Sequence, residues 1–137
     1  MRIPGIAILV FIILLAYSCN KSTPDNPVQD KLVGNWKNTM NVSDSNGNHI
    51  LDIHDARDTI NNPYIIQYNT NGTGAYLLNG TSAGTFTWQL LNNNTYLKIS
   101  ATGYPDAVQH IDSLTSTTLI LRDTTGISWI WQVFTKQ

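Results

Sequence analysis

Five carboxylate or amide side chains between residues 44 and 55 form the densest set of metal-type donors in the chain. Asp44, Asn46, Asn48, Asp52 and Asp55 stand at the first, third, fifth, ninth and twelfth positions of one span, which is the spacing of a calcium-binding loop. His49 occupies the position where such loops carry glycine, Asp55 replaces the bidentate glutamate, and no helical periodicity flanks the span. It therefore reads as a plain loop or hairpin built on Asn46-Gly47, and no metal ligand is assigned. His49 and His54 are five residues apart, so on a strand they would face opposite sides and could not share a metal, and His110 is isolated. There is no second cysteine beside Cys19, no nucleophile elbow, no phosphate-cradling glycine loop and no carboxylate pair placed for acid–base work. The chemistry expected is binding without catalysis, and no cofactor is expected.

The elements that must position these groups begin after an unusual N-terminus. A cationic start, the α-amine and Arg2, precedes twelve apolar residues at 6–17, a length that fits an export signal and is too short to cross a hydrocarbon core of about 30 Å. Leu15-Ala16-Tyr17-Ser18-Cys19 resembles the lipobox of bacterial lipoproteins. The resemblance implies cleavage after a signal peptide at 1–18, acylation of Cys19 with palmitate-type chains, and a place in the cell envelope at the outer membrane. A lone thiol in an exported chain has no internal disulfide partner, which agrees with acylation. More than one acyl chain, at about 0.8 kcal/mol per buried methylene, makes anchoring durable. Residues 19–30 are polar, contain Pro24 and Pro27, and read as an extended tether. Residues 31–137 are the size of one small domain, expected to be a monomer.

Composition narrows that domain to strands. All nine acidic residues are aspartate, Lys and Arg total eight, and Asn, Thr, Ile and Leu are abundant, a mixture that disfavours long helices. A formal net charge of −1 with no basic cluster excludes nucleic acid as a partner. Period-2 alternation predicts strands at 31–39, 63–69, 73–79, about 85–90, 95–101, 107–114, 117–123 and 127–135, with a weaker one at 48–59. Asn71-Gly72 predicts a two-residue hairpin turn and Asn79-Gly80 another reversal. Eight or nine consecutive antiparallel strands without a crossover helix predict an all-β, up-and-down barrel, which leaves no exposed edge. Two Asp-Ser/Thr-apolar triplets, at Asp58 and Asp112, resemble O-glycosylation acceptor sites but lie in or beside predicted strands, and no modification is assigned to them.

Leu32-Val33-Gly34-Asn35-Trp36 resembles the Gly-x-Trp signature of lipocalin-like domains, and the aromatic-then-glycine pattern from Tyr68 to Gly74 resembles their second hairpin. Segments 84–88, 97–99 and 111–119 are similar to later strands of the short lipocalin-like domains on exported bacterial lipoproteins. The resemblance spans about 31–134 and implies an eight-stranded antiparallel barrel. In larger lipocalins the signature tryptophan closes the barrel bottom beside an arginine. Trp36 matches that tryptophan, whereas Arg122, by alternation, lies opposite Leu119 and Leu121.

An eight-stranded barrel is just wide enough to be filled by side chains or to hold one small ligand. Alternation points Trp36, Trp88, Trp129 and Trp131 inward, chiefly as core, while Tyr64, Tyr76 and Tyr104 are expected near the open rim. These residues, Tyr104 apart, are the candidate ligand contacts, with Cys19 as the lipid attachment site. The function expected is capture of a small, partly apolar molecule at the envelope. The alternative is a protein or glycan interaction module whose barrel is solid.

Overall fold

The structure, a computed structural model, describes residues 26–123, 125–126 and 129–137. The export signal, Cys19 and most of the expected tether lie outside these residues. The last part of that tether differs from the expectation. Pro27–Leu32 forms a short helix, α1, because Asn26 caps it through Val28 N–H and Gln29 N–H and Pro27 suits the first helical turn, where no N–H is needed. The helix lies on one end of the barrel: Asn26 bonds Asn94, Gln29 bonds the Thr70 carbonyl, and Leu32 is fully buried.

Nine strands follow: β1 (Gly34–Ser43), β2 (Ala56–Thr59), β3 (Ile65–Tyr68), β4 (Thr73–Leu78), β5 (Thr81–Leu91), β6 (Tyr96–Ser100), β7 (Ala107–Leu114), β8 (Thr118–Asp123) and β9 (Ile130–Lys136). Each pairs antiparallel with its neighbour, and β9 closes back on β1. β3 pairs with the first half of β1 and β2 with the second half of the same edge, so the two short strands together make one stave. The break falls at Asn61-Asn62-Pro63, where proline has no N–H to give the ladder. The result is a closed barrel of eight staves, one of them in two pieces, as the alternation predicts. The weaker strand expected at 48–59 survives only as β2.

The turns refine the hairpin expectations. Asn79 and Gly80 both have positive φ, 51° and 78°, as a tight two-residue turn demands. At the other hairpin only Gly72 does, and Asn69 N–H bonds the Thr73 carbonyl, so that loop has three residues instead of two.

Registers assign the faces. Trp36 pairs with Ile66, Tyr68 with Gly74, Gly74 with Phe86, Trp88 with Ile99 and Leu119 with Phe134, and all of these face the axis. Together with Leu32, Leu97 and Leu121 they form one buried cluster in the half of the barrel nearest α1. Gly74 is required by that packing, since a Cβ there would sit 2.3 Å from the Phe86 ring.

Candidate functional site

The barrel interior divides across its length. The half nearest α1 is a filled floor. Trp36 has no exposure and donates its indole N–H to the Leu32 carbonyl at 2.7 Å, while Lys136 Nζ lies 5.1 Å from its ring and bonds the Lys31 carbonyl at 2.8 Å. Lys136 therefore stands where larger lipocalins are expected to place arginine, and Arg122 does not. The signal was present in the alternation of Lys136 with Phe134. Trp88 also faces inward, edge-on to Tyr68, with its N–H on the Thr73 carbonyl.

Toward the opposite end the inward positions turn polar. Asn38 pairs with the inward Phe134, and Asn41 with Gln132; the β-bulge between Asn38 and Met40 keeps both asparagines on the axis side. Gln109 Nε2 donates to Gln132 Oε1 at 3.0 Å, and Gln132 Nε2 donates to the Tyr64 hydroxyl at 3.3 Å. Tyr64 lies 6.2 Å from Tyr76, ring to ring, and Tyr76 packs on Phe86. Burial, followed by the neighbouring Tyr76 and opposed by the Gln132 bond, pushes the Tyr64 phenol up to about 12, and burial also raises the Tyr68 phenol. Two polar atoms in this interior are buried without a partner, Asn38 Oδ1 and the Tyr68 hydroxyl.

Beside this belt the wall opens. β5 and β6 pair only from Thr87↔Ser100 to Leu91↔Tyr96, because β6 ends at Ser100 and the chain turns away through Gly103. Thr81 to Phe86 are then paired with β4 alone. A cleft of about 640 Å³ occupies the inner side of the gap, lined by Tyr76, Gly84, Ile99, Ala101, Tyr104 and Ala107 among others. A second hollow of about 650 Å³, bordered by Thr73, Thr85, Thr87 and Ser100, adjoins it, and Thr85, Ala101 and Thr102 line both. Small side chains at Ala83, Gly84, Ala101 and Ala107 leave this room.

Tyr76 and Tyr104 line the cleft, Tyr64 packs beside Tyr76 without lining it, and Trp36 and Trp88 sit in the floor. Trp129 and Trp131 depart from the expectation. Trp131 pairs with Arg122 and Val42, while its neighbour Gln132 pairs with the inward Leu121, so Trp131 lies on the outer face. It is nonetheless 1% exposed, with its N–H on Asp112 Oδ2 at 2.6 Å. Asp112 projects from the β-bulge of β7 and also receives Arg122 Nε at 2.9 Å and faces His110 Nδ1. Arg122 lies 4.2 Å from the Trp129 ring, which packs against His49. Both faces of the last segment are apolar enough to be read as core. Trp36, Tyr68, Phe86, Trp88 and Phe134 already fill the interior, and the anion at Asp112 offers the indole N–H a partner outside it.

The calcium-like span is a loop that folds on its first, ninth and twelfth residues. Asp44 accepts Gly47 N–H at 2.7 Å and His49 N–H at 3.0 Å, Asp52 accepts His54 N–H, and Asp55 accepts Asp52 N–H. His49 takes φ 59°, the left-handed conformation that glycine supplies at that position in calcium loops. The interior amides Asn38, Asn41, Gln109 and Gln132 were missed in the sequence, since a polar residue on a strand is ordinarily assigned to solvent.

No protein-family model and no curated protein matches this sequence. Among solved structures, the crystal structure of a lipocalin-like protein from Bacteroides uniformis ATCC 8492 is similar, with 12% sequence identity and a TM-score of 0.56. The match covers 78% of this chain and 99% of that one. The domain has a lipocalin-like fold, reached here with little sequence in common.

Proposed function

We propose that this chain is a lipid-anchored envelope lipoprotein, attached through Cys19, whose barrel holds a small, partly apolar molecule in its open half and performs no catalysis. The observation that carries the binding reading is the cleft of about 640 Å³ beside Tyr76, Ile99 and Ala101, a volume within the range of small-molecule sites. Its walls combine Ile99 and the rings of Tyr76 and Tyr104 with the hydroxyls of Thr85 and Thr102, which suits a molecule with both kinds of surface. The anchoring reading rests on the apolar run at 6–17 that ends near Cys19, and it places the monomeric domain at the outer membrane.

Native mass spectrometry of the full-length protein from its own host tests both parts. The expected spectrum carries the mass of acyl groups on Cys19 and a retained small molecule released on denaturation. A barrel that never carries a molecule, in a host extract and after exposure to lipid extract, would favour the alternative of a protein or glycan interaction module. An unmodified N-terminus would remove the lipoprotein reading.

A further inference from the structure

The open half of the interior is polar but, among the described residues, holds no cation. Register turns Lys37, Arg57, Lys98 and Arg122 to the outer face, and the one inward cation, Lys136, is held at the floor on the Lys31 carbonyl. The charges that do face inward near the mouth are carboxylates. Asp58 pairs with the inward Asn41, and Asp123 pairs with Ile130 on the face of Leu121. Placing an anion in such an interior would cost its hydration and return no ion pair. The interior also disfavours its own anions, since burial raises the phenols of Tyr64, Tyr68 and Tyr76.

We propose that the ligand of this barrel is an uncharged, partly aromatic or alicyclic molecule, and not a fatty-acid or other anionic amphiphile. Its apolar body lies in the cleft against Tyr76, Ile99 and Ala101. This rests on the binding reading above and goes beyond it by fixing charge.

A matched pair of fluorescent probes tests it. N-phenyl-1-naphthylamine is neutral and carries one N–H; its 8-sulfonate, 1-anilinonaphthalene-8-sulfonate, is the same skeleton with a negative charge. Titrated into the folded barrel, the neutral probe should bind at least about tenfold more tightly than the sulfonate. Ile130→Lys, which sets a cation on the inward face of the mouth, should shrink or reverse that ratio. Ala101→Trp should displace the neutral probe by filling the cleft. Equal or tighter binding of the sulfonate to the unaltered protein overturns the charge preference while leaving the binding reading in place. Neutral-probe binding that survives Ala101→Trp in a folded variant overturns the proposed site. If neither probe nor a neutral extract component binds, the binding reading fails and this inference fails with it.

Discussion

The two halves of the barrel use the same staves for opposite ends. Near α1 the inward side chains are Trp36, Tyr68, Phe86, Trp88, Leu97 and Phe134, which touch one another and exclude water. Toward the mouth the same strands offer Asn38, Asn41, Gln109, Gln132 and Tyr64, with alanine and glycine where bulk would close the space. One half supplies most of the hydrophobic stabilisation and the other leaves a place to bind. A barrel of this size has too little interior to do both along its whole length.

Substitutions should separate the halves by magnitude. Phe134→Ala removes a ring with no exposure from the floor and should cost roughly 3–5 kcal/mol in chemical denaturation, against little change from Ile130→Ala on the same strand at the mouth. Gly74→Ala forces a Cβ to 2.3 Å from the Phe86 ring and 2.5 Å from the Gln67 carbonyl, and should destabilise by about 1–3 kcal/mol, with only partial recovery when Phe86→Leu is added, because the backbone contact remains. If Gly74→Ala is neutral, the floor is looser than its contacts imply.

The third break is by pH. An unfolded chain releases phenol protons near the ordinary value of about 10, whereas Tyr64 in the fold holds its proton up to about 12. Between those values the unfolded state binds fewer protons, so stability is complete below about pH 10 and is lost as pH rises through the folded value. Thermal melts from pH 9 to 12 should show that fall, and Tyr64→Phe should make it shallower while the raised phenols of Tyr68 and Tyr76 keep the remainder. The smallest effect is expected for Gln132→Leu, which trades two hydrogen bonds in the open half for apolar surface. About 1 kcal/mol or less of stability should change, and neutral-probe affinity should change more.

The antiparallel meander was legible because turn signals punctuate it: Asn79-Gly80, Asn92 to Asn94 and the loop at Gly103 all sit where the chain reverses. Trp36 and Trp88 were legible as inward by period-2 alternation within their own strands. The last strand was not, since Trp131 and Phe134 lie on opposite faces and either set could be core. Only pairing with β8 and β1 decides, and that is long-range information. The amide belt was hidden for a related reason: alternation identifies a buried stripe by its apolar residues, and here the stripe changes character halfway along each strand. The cap α1 was hidden because six residues are too few to show a helical period, although Asn26 before Pro27 is a helix-start signal.

The position of α1 sets an orientation. Because Asn26 is tied to Asn94 at the floor, the chain that precedes it joins the barrel at the end opposite the mouth. Whatever is attached ahead of Asn26 therefore joins at the floor end, and α1 leaves the cleft beside Tyr76 and Ile99 uncovered.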